Sequence, residues 1–118
     1  MSRVRLLVGT RKGLFVAESD AGRRKWALEG PFIEGYEIYH AVLDPRDPQT
    51  GWAAARHEVW GTHIHRTFDG GRSWHPVTAR PRYPTEMERE VKAIWHVAPG
   101  PPDRPSRVWA GVQPAGLF

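Results

Sequence analysis

The residues best equipped for chemistry in this sequence are cations, imidazoles, phenols and carboxylates grouped at a few points along the chain. They are Arg11 and Lys12, then Glu34, Tyr36, Tyr39 and His40, then Arg56, His57 and Glu58, and finally His96 and Gln113. A guanidinium can hold a carboxylate through two parallel hydrogen bonds, while aromatic rings pack on flat ligand faces. Such a mixture suits a glycan or a small polar, anionic ligand. Taken singly, each of these residues also fits an ordinary solvated loop. His63 and His65 are spaced to share one face of a strand, with His57 near, but zinc needs a third ligand and an open position. Packed or exposed strand histidines are the simpler reading, so neither a metal nor another cofactor is expected. His57-Glu58-Val59-Trp60-Gly61 lacks the second histidine of the zinc-protease helix, and no phosphate-binding glycine loop or nucleophile elbow is present. No complete catalytic set is visible, and catalytic residues are left unassigned.

Positioning these groups requires a scaffold, and composition narrows its class. The 118 residues carry 40% apolar and 25% charged residues, the usage of one globular domain. Twelve glycines, eleven prolines and six tryptophans favour short strands and many turns over long helices, so an all-β fold is expected. The net charge of +4 comes from basic residues scattered from Arg3 to Arg107, with no block that reads as a nucleic-acid arm. Without cysteine there is no disulfide framework. No apolar run approaches a membrane span and Leu6-Leu7-Val8 is too short for a secretory signal, so a cytoplasmic protein without membrane contact is expected.

The chain repeats itself. Leu6-Leu7-Val8-Gly9 leads to Gly13-Leu14-Phe15, and Val108-Trp109-Ala110-Gly111 leads to Gly116-Leu117-Phe118, an offset of 103 from Gly13 to Gly116. Gly51-Trp52-Ala53-Ala54-Ala55 lies midway, giving a unit of about 50 residues, long enough for four short strands. With the strands of a unit named A to D, the first repeat has B at 3–8, C at 13–17 and D near 26–28. The second has A at 40–43, B at 51–55, C at 62–67 and D at 74–77, and the third has A near 93–97, B at 107–111 and C at Gly116. Pro-rich turns at 44–48 and 98–103 separate A from B. Residues 85–92 carry capping-box spacing and read either as a turn or two of helix or as a charged loop.

One segment explains how a C–D hairpin would close. In Thr67-Phe68-Asp69-Gly70-Gly71-Arg72-Ser73-Trp74 an acid can accept backbone N–H bonds, and glycines supply positive φ. Thr67 and Ser73 can tie the strand ends, and Trp74 provides an apolar anchor. Each position matches the Asp-box pattern, so the chain resembles the BNR-repeat, sialidase-like β-propellers. A degenerate copy lies one period earlier with Asp20, Gly22 and Trp26, shifted by 49 from Asp20 to Asp69 and by 48 from Trp26 to Trp74.

The resemblance implies β-propeller blades of four-stranded antiparallel sheets in a single domain over 1–118: blade one at 3–30 lacking its inner strand A, blade two at 38–78, and the start of blade three at 92–118. It also implies an incomplete ring, the N-terminal part of a longer chain, with the remaining blades, or self-association through open strand edges, as partners. In such blades the A–B and C–D turns share one end and the B–C and D–A loops share the other. The second end collects the eight ligand candidates Arg11, Lys12, Tyr39, His40, Arg56, His57, His96 and Gln113, with His40 and His96 near the channel. Family enzymes open with an Arg-Ile-Pro motif, whereas this chain has Thr10-Arg11-Lys12-Gly13. A glycosyl-hydrolase parent and a non-enzymatic scaffold for assembly or ligand binding both remain open.

Overall fold

The computed structural model describes residues 4–77, 91–100, 107–113 and 116–118. The chain is all-β, and its sheets are antiparallel. Sheet I is β1 (Val4–Thr10), β2 (Gly13–Ser19) and β3 (Trp26–Phe32). Sheet II is β4 (Glu37–Asp44), β5 (Asp47–His57), β6 (Gly61–Thr67) and β7 (His75–Pro76). Sheet III is β8 (Ala93–Pro99), β9 (Val108–Gln113) and β10 (Gly116–Leu117). In each sheet the strands lie side by side in chain order, as consecutive hairpins require. The segment 85–92 lies outside the described residues except for Val91 and Lys92, which are irregular.

The three sheets stack face to face, and period-two alternation divides the core. On the forward face of sheet II, Trp52, Ala54 and Ile64 pack against Ile94, Val97, Ala110 and Val112 of sheet III. On its rear face, Ile38, Ala53 and Ala55 meet Leu14 of sheet I, with Leu7, Phe32 and Trp74 at the margin. Residues 51–55 are therefore all buried, although they alternate in direction. Their small side chains let two neighbouring sheets approach closely. Gly51 is part of this fit, since a β-carbon there would lie 2.6 Å from the Val42 carbonyl oxygen.

Two departures from the expected strand limits have local causes. Strand β5 starts at Asp47 rather than Gly51, because Asp44 and Asp47 face each other across a tight turn. The Asp44 carboxylate accepts bonds from the Arg46 backbone and, bidentately, from its guanidinium, which lowers its pKa. Residues 48–50 are left over between Asp47 and Gly51 and bulge outward. Strand β4 starts at Glu37 and carries a second bulge, in which Tyr39 has no partner between the pairs Ile38–Ala55 and His40–Ala54. Strand β8 repeats that bulge at Trp95, between Ile94–Val112 and His96–Gly111.

Because Trp52 is 1% exposed between two sheets, Trp52→Ala opens a cavity that the neighbours cannot fill, and unfolding free energy should drop by about 3–5 kcal/mol. Trp60→Ala, at an exposed turn, should change it by less than about 0.5 kcal/mol. Urea unfolding followed by circular dichroism compares the two.

Candidate functional site

The loops at the two ends of the stack are fastened to one another in the pairs that alternating strand direction demands. At one end the Gly70 N–H of the C–D turn donates to the Gln49 carbonyl of the A–B segment at 2.9 Å. At the other, the Gly35 N–H of the D–A loop donates to the Lys12 carbonyl of the B–C turn at 3.1 Å. That second end carries most of the polar and aromatic groups singled out above.

The first end is organised by Asp69. Its carboxylate accepts the Arg72 N–H at 3.0 Å, the Ser73 N–H at 2.9 Å, the Ser73 hydroxyl and the Thr67 hydroxyl at 2.8 Å. The Thr67 oxygen in turn receives the Gly71 N–H at 3.0 Å, and the Trp74 indole N–H closes the turn on the Gly71 carbonyl at 2.9 Å. The bonds from Ser73, with those from Thr67 and Arg72, hold the Asp69 carboxyl well below the usual carboxylate range. Gly70 and Gly71 have φ of 74° and 99°, which only glycine adopts without strain. The turn also reaches sheet I: Arg5 donates to the Gly70 carbonyl at 2.9 Å while pairing with Glu18 at 2.8 Å.

The earlier copy of this turn is set differently from its sequence alignment. Ser19 ends β2 as Thr67 ends β6, and the Trp26 indole donates to the Arg23 carbonyl three residues back, as Trp74 does to Gly71. The spacing is then 48 throughout, Arg23 takes the left-handed conformation of Gly71, and Ala21 occupies the place of Asp69. Asp20 contributes its backbone carbonyl, which accepts the Arg23 N–H at 3.1 Å, and among the described residues none donates to its carboxylate. Gly22 is exposed in this turn. Trp26 therefore keeps its role in the turn, while the acid-centred clamp exists only at Asp69.

At the opposite end the edge strands β4 and β8 gather the site. The Tyr39 hydroxyl donates to Glu37 at 2.8 Å, and the same carboxylate lies 3.9 Å from the Arg56 guanidinium. The Trp95 ring meets Tyr39 edge to face at 4.9 Å between centroids, and both rings are exposed to solvent. Burial, reinforced by the bond to Glu37, raises the Tyr39 pKa, so the phenol stays protonated at neutral pH. Beside this group His40 and His96 stack at 3.9 Å, and His40 Nδ1 accepts the Val97 N–H at 3.1 Å. Burial and the neighbouring imidazole lower the His40 pKa. An accepting Nδ1 places the proton on Nε2, so neutral His40 offers a donor to a ligand and not a lone pair to a metal.

The remaining candidates do not join this cluster. His57 Nδ1 accepts the N–H groups of Val59 and Trp60 and so caps the β5–β6 turn, with Tyr36 packed on its ring at 5.0 Å. His63 Nε2 donates to the Trp60 carbonyl at 2.7 Å, whereas His65 lies under Tyr36 at 5.5 Å with Nδ1 buried and unpaired. Among the described residues no three metal-ligating side chains converge. Arg11, Lys12, Glu34 and Glu58 are exposed, and Gln113 is exposed at the end of β9, where its carbonyl accepts the Lys92 N–H. Sequence reading missed Glu37 and Trp95. The available signal was the recurrence of Ile38-Tyr39-His40 as Ile94-Trp95-His96. Compared with known proteins, the chain matches no family model and no characterised sequence.

Two measurements probe these ends separately. Asp69→Ala should lower stability by about 1–2 kcal/mol at neutral pH, as loss of a capping carboxylate does. Since the folded-state pKa of Asp69 is depressed, the difference from wild type should shrink as pH falls below about 4. Burial lowers the His65 pKa to about 4, so protonation favours the unfolded chain. Stability should fall from pH 6.5 towards 4 by up to about 3 kcal/mol, and His65→Phe should flatten that slope in urea titrations across pH.

Proposed function

We propose that the three sheets are blades of a sialidase-like BNR-repeat β-propeller whose B–C/D–A end binds a glycan or a comparable polar, anionic ligand. The observation that carries this reading is the Asp69 hairpin, where every defining side chain of the Asp-box pattern makes the bond that the pattern exists to make. Face-to-face stacking with inner strands β4 and β8 in contact supports it. Propellers generally use four to eight blades, so further blades belong among the partners.

The ligand end has the parts that a sugar ring with an anionic substituent requires. Trp95 and Tyr39 offer ring faces, Arg56 offers a guanidinium held only at 3.9 Å by Glu37, and His40 offers an Nε2–H. Binding is favoured over glycoside cleavage at this point. Tyr39 and Glu37 stand as a nucleophile and its base would, but among the described residues Glu37 is the only carboxylate bonded to this group, which leaves no second carboxyl beside it for the general-acid step. Non-enzymatic ligand binding on a propeller scaffold is therefore the function that the geometry supports best.

Titration with sialyllactose, followed by tryptophan fluorescence, should give saturable binding that exceeds binding of lactose. Trp95→Ala and Arg56→Ala should each weaken it by about tenfold, the loss of one stacking or ion-pair contact. Absence of saturation would remove the glycan reading. Turnover of a fluorogenic sialoside that disappears in Tyr39→Phe would instead establish the hydrolase.

A further inference from the structure

Sheets II and III are superimposable in their pairing, and this makes their forward faces comparable residue by residue. The shared bulge equates Tyr39 with Trp95 and His40 with His96, and the registers then equate Trp52 with Trp109 and Ile64 with Leu117. In chemistry the four pairs match. In burial two of them differ: Trp52 is 1% exposed and Ile64 4%, whereas Trp109 is 44% exposed and Leu117 72%. The forward face of sheet II is covered by the rear face of sheet III, and among the described residues nothing covers the forward face of sheet III.

The rear face of sheet I has the complementary character. Leu6, Ala17 and Leu28 form one row across its three strands, and Val8 pairs with Phe15 in the next. Leu6, Val8 and Leu28 are exposed. The rear faces of sheets II and III at corresponding strands present Ala53, Ala55, Ala110 and Val112, and each of these is buried against the sheet behind it. Among the described residues two apolar sheet faces thus lie bare at opposite ends of one stack; the forward one repeats the residue types of the covered forward face of sheet II, and the rear one is apolar at the same places as the covered rear faces, with the larger Leu6 where they carry Ala53 and Ala110.

We propose that the chain self-associates head to tail, the forward face of sheet III in one copy seating on the rear face of sheet I in the next. The contact continues the internal sheet-to-sheet interface, and it is heterologous, since two different surfaces meet. It rests on the equivalence of the sheets and is independent of the ligand-binding reading. Trp109 and Leu117 act as its anchors on one side, and Leu6 and Leu28 as those on the other. It differs from strand-edge pairing, which would leave all four side chains in solvent.

Sedimentation velocity of the full chain tests the proposal. The average mass should rise with concentration in the wild type. Leu117→Lys on the forward face and Leu28→Lys on the rear face should each weaken association by about 100-fold or more, because each buries an unpaired charge. Mixed in equal amounts, the two variants still own one intact face apiece and should form a complex that stops at two chains. A wild type that stays monomeric overturns the proposal. So does a Leu28→Lys protein that associates like the wild type, the result expected of a like-to-like or edge contact, and so does a mixture that forms no heterodimer. If either variant loses its native near-ultraviolet spectrum, Trp109→Arg and Leu6→Arg take their places with the same outcomes.

Discussion

The rest of the structure depends on the double burial of β5. A strand covered on one face can spread its apolar residues over every second position, but one covered on both must be apolar throughout and small enough for two sheets to close on it. Ala53, Ala54 and Ala55 meet that demand, with Trp52 as the single large residue directed to sheet III. The two clusters that hold the molecule together share this strand, one on each side. Strand β4 shares the task, lying against β1 of sheet I and β8 of sheet III, so the positions of sheets I and III are set relative to each other through the first two strands of sheet II.

The Asp69 turn extends the same coupling to the molecular edge. By collecting the backbone donors of Arg72 and Ser73, the carboxylate satisfies two groups from within the turn, while the Gly70 N–H is met by the Gln49 carbonyl of the neighbouring segment. Its outer carbonyl, at Gly70, is then free to receive Arg5 from sheet I. The clamp thereby serves two levels at once, closing sheet II and registering it against sheet I. In the earlier copy, where Ala21 replaces the acid, the turn is exposed and the adjoining strand β3 lies almost wholly at the surface.

The sequence made the strands legible because alternation and turn chemistry are local properties. Gly13, Thr62 and Gly116 fall within strands where the period of about 50 residues places them, and Thr67 to Trp74 predicts its own hydrogen bonds. What it concealed depends on pairing. The bulges at Tyr39 and Trp95 arise from a mismatch in length with β5 and β9, which no window of a single strand reveals. Trp95 entered the site through its bulge, and Glu37 through its pairing opposite Arg56. The one-residue displacement of Asp20 was hidden for a related reason: spacing to the tryptophan is kept from Ser19, and the acid that catches the eye stands one place early.

The bulges also explain why the two ends of the stack differ in kind. A regular β4 would send Tyr39 and His40 to opposite faces, whereas the extra residue lets both turn towards sheet III, where they meet Trp95 and His96. Aromatic rings and imidazoles are thus lined up along β4 and β8 by a backbone irregularity that both strands share. The Val97 N–H gives His40 a fixed tautomer, and Glu37 gives Tyr39 a fixed hydroxyl direction, so the polar atoms of the row are oriented by bonds within the protein. The Tyr39 proton is committed to Glu37, so the groups left to donate beside the exposed rings are His40 Nε2–H and the Arg56 guanidinium, the pair on which the proposed binding role relies.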